Sequence, residues 1–306
     1  MADSIGGLPP SAVRVLTEDE MAQWRRERRS RGQRTVRSGD HWWLDTRGFS
    51  RPLHFAATIP AAQIRRPTPY CWAYHALLPP EDVEAANVWS PLHMVEDAAS
   101  YGLHSLSRSR RKDVRRGRRM FELVHLTDGG MLAEHGWRIY SANERRLGLT
   151  PEVGEKEYRE RVGPWAEDSR RLVVGALQDG KLVAYQKSFA VDGTAYLADI
   201  YLSDAARKNN VSAYLDYEMA QLYRKSGLVK RICAGPPLPE RPRVSEFKRS
   251  MGMPIVFLPA RFWAPGPVAR MLSRVRPGIH YRATGVPPRN MKDAELAELG
   301  VLDRDP

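Results

Sequence analysis

Two Asp-Gly pairs constrain this chain more tightly than any other feature. Asp179-Gly180 separates the apolar run 171–178 from Lys181–Val191, and Asp192-Gly193 separates that run from Thr194–Leu202. A two-residue hairpin turn that matches strand twist needs positive φ, which Asp tolerates and Gly adopts freely. The spacing predicts three antiparallel strands. Beyond Leu202 the apolar period lengthens. Val211, Tyr214, Leu215, Met219, Leu222 and Tyr223 recur three or four apart and define one helical face, with Asp216, Gln221 and Lys225 pointing elsewhere. Asn210 is placed to cap this helix, Arg224 and Lys225 suit the negative end of its dipole, and Gly227 supplies the left-handed residue that stops it. Residues 229–234 read as the next strand, set parallel beside Thr194–Leu202 by the usual right-handed crossover. A short helix at 244–251 and a final strand at 254–259 complete the series.

The order strand, Asp-Gly, strand, Asp-Gly, strand, helix, strand, helix, strand resembles the core of the GNAT N-acyltransferase fold. More narrowly, LSRSRRKDVRRGRRMFELVHL (106–126) and EFKRSMGM (246–253) resemble the FemAB-like peptidyltransferase branch. Members of that branch carry a basic helix before the first strand and an FK-x-x-x-G segment late. The likeness spans about half of the chain, 106–259. It implies an α/β (α+β) fold with a GNAT-like mixed, mostly antiparallel sheet and flanking helices. It also implies transfer of an acyl or aminoacyl group to an amine, with acyl-CoA or aminoacyl-tRNA as co-substrate and no permanently bound cofactor.

The chain has 306 residues, enough to bury a core without disulfide or metal staples. No apolar run approaches the roughly 20 residues that span a bilayer, and the first residues lack a basic flank followed by an apolar stretch. A cytoplasmic protein with no transmembrane segment is expected. Cys71 and Cys233 fit no metal spacing and read as buried reduced thiols. The net charge of +12 is concentrated in two places. Between Arg108 and Arg119 eight basic residues face only Asp113, and from Arg261 to Asn290 there are six arginines and no acid. An anionic partner belongs at one of these.

Residues 1–40 read as a mobile basic segment holding one helix, started by Thr17 with Glu20 at capping-box spacing. Residues 41–105 form an amino-terminal region rich in aromatics, with short strands and turns over 41–60, a buried strand over 70–78 and a brief helix over 81–89. The resemblance implies that this region is a reduced GNAT-like unit. Residues 106–260 make the acyltransferase domain. Within it helices are expected over 107–119, over 130–147 with an interruption near Gly136, and over 155–165, with a strand over 121–126. Residues 261–306 are a basic, Pro- and Gly-rich extension, with a short helix over 268–275 and an acidic terminal stretch, KDAELAELG.

In the GNAT fold coenzyme A pyrophosphate binds where the helix after the central strand begins, because free N–H groups and the helix dipole favour phosphate there. The matching loop here is 206–212. Arg207, Lys208, Asn209, Asn210 and Ser212 are its candidate cofactor-binding residues, although the loop lacks the family's glycines; a solvated basic turn is the alternative. The 108–119 helix is suited to neutralising RNA phosphates, with Arg111, Lys112 and Arg115 as candidate contacts, or it is a solvated face. Alternation on Thr194–Leu202 puts Leu197, Asp199 and Tyr201 on one face. The resemblance implies Asp199 as general base and Tyr201 as a weaker acid; equally, Asp199 pairs with a neighbour such as Lys187, and Tyr201 packs at the core edge. Lys248, in the FK segment, either meets a substrate carboxylate or lies on a helix surface. Hydrolase, NTPase and dinucleotide signatures are absent from the sequence, and no metal site is proposed. The alternative function is a non-catalytic GNAT-like protein that binds RNA or an anionic surface through its Arg-rich patches.

Overall fold

The computed structural model describes residues 3–4, 12–27, 33–151 and 153–288. In chain order the elements begin with β1 (Asp3–Ser4), β2 (Val15–Leu16), α1 (Glu18–Glu27), β3 (Gln33–Ser38), β4 (His41–Thr46), β5 (Phe49–Pro52), β6 (Ala73–Leu77) and β7 (Val88–Val95). Next come α2 (Arg108–Met120), β8 (Glu122–His125), α3 (Trp137–Arg146), α4 (Glu155–Glu167), β9 (Leu172–Gln178), β10 (Lys181–Val191) and β11 (Thr194–Leu202). The series ends with α5 (Asp204–Lys208), α6 (Val211–Ser226), β12 (Arg231–Gly235), α7 (Pro242–Ser250), β13 (Ile255–Trp263), α8 (Gly266–Val275) and α9 (Pro277–Thr284). The fold is mixed α/β, with mostly antiparallel strand pairing and flanking helices. Contacts divide the chain into two compact units. Met1–Val15, Val95–Ile232 and Ser250–Gly252 form the first; Leu16–Met94, Cys233–Arg249 and Met253–Pro306 form the second.

In the first unit the strands run in the order β1-β8-β9-β10-β11-β12. Both Asp-Gly pairs adopt the left-handed conformation that a two-residue hairpin needs, with φ of 51° and 73° at Asp179 and Gly180 and of 44° and 75° at Asp192 and Gly193. β9, β10 and β11 are accordingly an antiparallel meander. Leu132–Gly136 forms a π-helical turn before α3, where the interruption near Gly136 was expected. Helix α6 ends on Gly227 at φ 68°, as the sequence requires. Its start differs from expectation. Asn210 is left-handed, at φ 58°, and its side chain makes no capping bond; its Nδ2 donates instead to Asp113 on α2. The helix is also buried beyond one stripe: Ala213, Tyr217, Ala220 and Gln221 are covered as well, and Gln221 Nε2 donates to the Tyr101 carbonyl at 3.0 Å. α2 supplies much of that cover. A Cβ on Gly117 would lie 2.5 Å from Tyr214 Cβ, so glycine sets how closely the two helices approach.

In the second unit the order is β7-β13-β6-β5-β4-β3. β13 pairs antiparallel with β6 and with β7, whereas β5 and β6 are parallel. Gln33–Ser38, read from the sequence as part of a mobile segment, pairs along its length with β4. The capping box of α1 forms as expected: Thr17 N donates to Glu20 Oε2 at 2.9 Å and Glu20 N to Thr17 Oγ1 at 3.2 Å. The helix expected over 81–89 is a 3-10 turn over Pro80–Ala85 followed by β7, and α9 was not anticipated. A core of Trp43, Ile59, Ile64, Ala76 and Leu78 holds this unit. The acidic terminal stretch 292–300 and Arg289 lie outside the described residues.

Candidate active site

The meander is irregular at one place. Gln186 pairs with Ile200 and Ser188 with Leu197, so Ala198 and Asp199 together stand opposite Lys187. This is a β-bulge in β11, and it breaks the strict alternation expected along the strand. Asp199 is turned outward, its side chain 63% exposed, and Lys187 Nζ lies 3.0 Å from Asp199 Oδ2. The same ammonium sits 4.6 Å from the Trp165 ring centroid and 5.2 Å from that of Tyr201. A carboxylate and two aromatic faces, contributed by α4 and β11, thus surround one cation, a combination of ion pairing and cation–π attraction.

Behind this cation lies an aromatic core. Tyr201 stacks on Tyr185 with centroids 4.8 Å apart, Tyr140 stacks on Tyr158 at 5.3 Å, and Tyr158 Oη donates to Tyr185 Oη at 3.0 Å. Gly136 leaves room for the Tyr158 hydroxyl, since a Cβ there would collide with it. Burial first, and then the Asp199 charge, hold the Tyr201 hydroxyl far above its usual pKa. Burial likewise pushes Tyr158 up to about 12. These phenols stay protonated at neutral pH and act as hydrogen-bond donors rather than as bases.

The loop before α6 is built differently from an open phosphate cradle. Ser203 caps α5, accepting from Ala206 N at 3.3 Å. Asn209 Oδ1 accepts from Arg116 Nη2 at 2.8 Å, and Asn210 Nδ2 donates to Asp113 Oδ1 at 3.0 Å. Asp113 Oδ2 in turn pairs with Arg110 at 2.8 Å. Each asparagine side chain thus bonds to α2, and Asn209 Nδ2 also donates to the Ala205 carbonyl at 3.2 Å. Arg207 and Lys208 are exposed, Arg207 standing 3.9 Å from Asp204, and Ser212 is half-buried.

α2 divides its cations between two tasks. Arg110, Arg116 and Arg118 face protein partners, the last pairing with Glu218 at 2.7 Å. Arg108, Arg111, Lys112, Arg115 and Arg119 recur three or four apart, and among the described residues their side chains have no hydrogen bond or ion pair. In the second unit Lys248 is half-buried on α7 and donates from Nζ to the Ala234 carbonyl at 2.7 Å.

The structure is similar to that of the C-terminal domain of a putative lysylphosphatidylglycerol synthetase from Agrobacterium fabrum. The TM-score is 0.54 at 13% identity, over 88% of this chain and 98% of that one. It is also similar to FemX, with a TM-score of 0.58 at 10% identity over 85% of this chain and 94% of that chain. The chain has a GNAT-like fold near that of FemX. No protein-family model and no curated protein matches the sequence.

Within the GNAT-like fold the residues anticipated from sequence fall in three places. Asp199 and Tyr201 meet at the bulge of β11, with Asp199 in the ion pair to Lys187 that was one of its two readings. Arg207 to Ser212 lie on α5, the connecting turn and the start of α6, and Arg111, Lys112 and Arg115 lie on the unpaired face of α2. Sequence reasoning missed Trp165, Tyr140, Tyr158 and Tyr185, which wall the bulge, and the hold that Asp113 and Arg116 exert on the loop. Gly117 inside a basic helix was the available sign of that packing.

Proposed function

We propose that this chain transfers an acyl or aminoacyl group from an activated donor to an amine, and that the donor is aminoacyl-tRNA in preference to acyl-CoA. One observation carries the choice of donor. The loop that would cradle coenzyme A has no glycine, and its two asparagine side chains bond to protein partners on α2 and α5, whereas five cations of α2 have no hydrogen bond or ion pair among the described residues. Free cations along a helix suit a phosphate backbone. The likeness in fold to a putative lysylphosphatidylglycerol synthetase is compatible with aminoacyl chemistry.

In this reading the bulge is the reacting centre. Asp199 takes the proton of the attacking amine, Lys187, itself held by the Trp165 and Tyr201 faces, keeps Asp199 in place, and the protonated Tyr201 hydroxyl donates to the developing oxyanion. Transfer of a carbonyl from the tRNA ester to nitrogen forms one amide bond, breaks one ester bond, and returns the amine proton to the ribose hydroxyl.

Two measurements test the proposal. Melting of the full chain is followed with uncharged tRNA, coenzyme A and acetyl-coenzyme A at low and moderate salt. A ligand at about 100 times its Kd adds about 2.7 kcal/mol to the folded state. tRNA is expected to raise the midpoint at low salt, and coenzyme A and acetyl-coenzyme A to leave it unchanged; a shift by these two alone reverses the donor assignment. Transfer is then followed with tRNA bearing a labelled amino acid and a panel of lysine, an amino sugar and a short peptide. Label moving to none of them, with tRNA bound, favours the non-catalytic RNA-binding alternative.

A further inference from the structure

Helices α8 and α9 expose side chains that soluble surfaces normally cover. Leu272 on α8 is buried at 5% exposure, but Met271 and Val275 are 53% and 67% exposed, and Ile279 on α9 is 36% exposed. Met271 and Val275 stand one turn apart, so they form one edge of α8. Arg270, Arg274 and Arg276 are exposed in the same stretch, and among the described residues their guanidinium groups have no hydrogen bond or ion pair. Residues 261–288 contain no Asp or Glu. Arg282 differs, because Glu240 stands 3.3 Å from it.

At 100° per residue, Arg270 and Arg274 lie to one side of Met271 and Val275, and the buried Leu272 lies to the other. The aliphatic edge therefore runs between the protein core and a row of unneutralised arginines. RNA would use the arginines and leave the aliphatic edge in water. A bilayer of anionic lipid satisfies both, since aliphatic side chains enter the headgroup–acyl boundary and arginines extend to the phosphates. Among the described residues no helix is long and apolar enough to cross a membrane.

We propose that α8 docks this protein on an anionic membrane surface, with Met271 and Val275 inserted and Arg270 and Arg274 on lipid phosphates. The inference stands independently of the acyl-transfer reading. The test is flotation of the full chain with vesicles of phosphatidylcholine alone and of phosphatidylcholine mixed with phosphatidylglycerol.

The parent is expected to float with the anionic vesicles only, and less as salt rises. Arg270→Gln with Arg274→Gln should weaken partition about 30-fold, from about 1 kcal/mol per arginine near the surface at 1.36 kcal/mol per decade. Met271→Glu with Val275→Glu should weaken it at least about tenfold, and Met271→Ser with Val275→Ser should do so less strongly. All three pairs lie on exposed positions, so each is compared at an unchanged melting point. A parent that does not float overturns the proposal. So does a chain whose two Met271/Val275 pairs float like the parent, or one whose α8 arginines are needed for tRNA and not for vesicles.

Discussion

Replacing Gly117 with alanine adds a single methyl group at the closest approach of α2 and α6. Its carbon would lie 2.5 Å from Tyr214 Cβ, 2.7 Å from Cγ and 3.0 Å from Cδ1. Favourable carbon contacts begin near 3.5 Å, so the helices must separate by about 1 Å. Rotation of the tyrosine cannot relieve the clash, because Tyr214 Cβ is fixed to the backbone. Overpacking of this kind costs about 1–3 kcal/mol, and rigid atoms place it near the upper end. Alanine recovers about 1 kcal/mol in helix propensity, leaving a net loss of about 2 kcal/mol. At roughly 2–4 °C per kcal/mol, thermal melting followed by circular dichroism should fall by about 4–8 °C. The separation also draws Arg116 and Asp113 away from Asn209 and Asn210, so the loop before α6 should become more open to proteolysis. A Gly117→Ala protein that melts at or above the parent temperature would show that the helices do not approach this closely, and the reasoning would fail.

The other predictions concern chemistry and pH. Asp199→Asn should abolish transfer and leave tRNA binding intact, as measured by single-turnover release of labelled amino acid beside a filter-binding titration. Replacing Arg111, Lys112 and Arg115 together with glutamine should reduce the slope of log affinity against log salt by about 2 in tRNA titrations while the melting point holds, since these side chains have no hydrogen bond or ion pair among the described residues. In the second unit, burial and then the Arg51 charge lower His75 to a pKa of about 4, and burial and then the Lys248 charge lower His93 to about 3. Both are neutral when folded and take up protons on unfolding. Between the unfolded value of 6.5 and these folded values the unfolded state binds more protons, so stability is full above pH 6.5 and falls as pH drops toward 4. Urea melts at pH 7 and pH 4.5 should differ by a few kcal/mol, and His75→Gln should shrink that difference.

The parts of this structure that could be read from sequence are those fixed by local chemistry. Asp-Gly dictates its turn wherever it stands, Thr17 and Glu20 cap each other within one turn, and Gly227 ends α6 by backbone freedom alone. The parts that could not be read depend on partners distant in the chain. Gln221 is polar and scores as solvent-facing, yet the carbonyl of Tyr101 lets it be buried. β7 carries Pro91 and His93 and lacks alternation, because it is covered from Ser90 to Val95; His93 is tolerated there since its Nδ1 lies 2.9 Å from the Met253 carbonyl. At the candidate site, the Asp199–Lys187 pair was one of two readings available from strand composition. The bulge that aims Asp199 outward comes from the pairing of β10 with β11 and leaves no mark in either strand alone.

The interleaving of segments between the two units has a consequence for synthesis of the chain. Most of the first unit lies on the continuous stretch Val95–Ile232, so its meander and α6 can close soon after they are made. The second unit cannot. Leu77 on β6 pairs with Ala260 on β13, roughly 180 residues later. At about 5–20 residues per second the ribosome reaches β13 roughly 10 to 40 s after β6, and during that interval the edges of β6 and β7 that pair with β13 stay open. Waiting strand edges of this kind are where nascent chains associate with one another. Recombinant yield should therefore depend on chaperone supply more than final stability suggests. A circular permutant that begins after β12, at Pro236, and carries β13 ahead of β3 would shorten the wait, and should be recovered in soluble form from cells where the natural order aggregates.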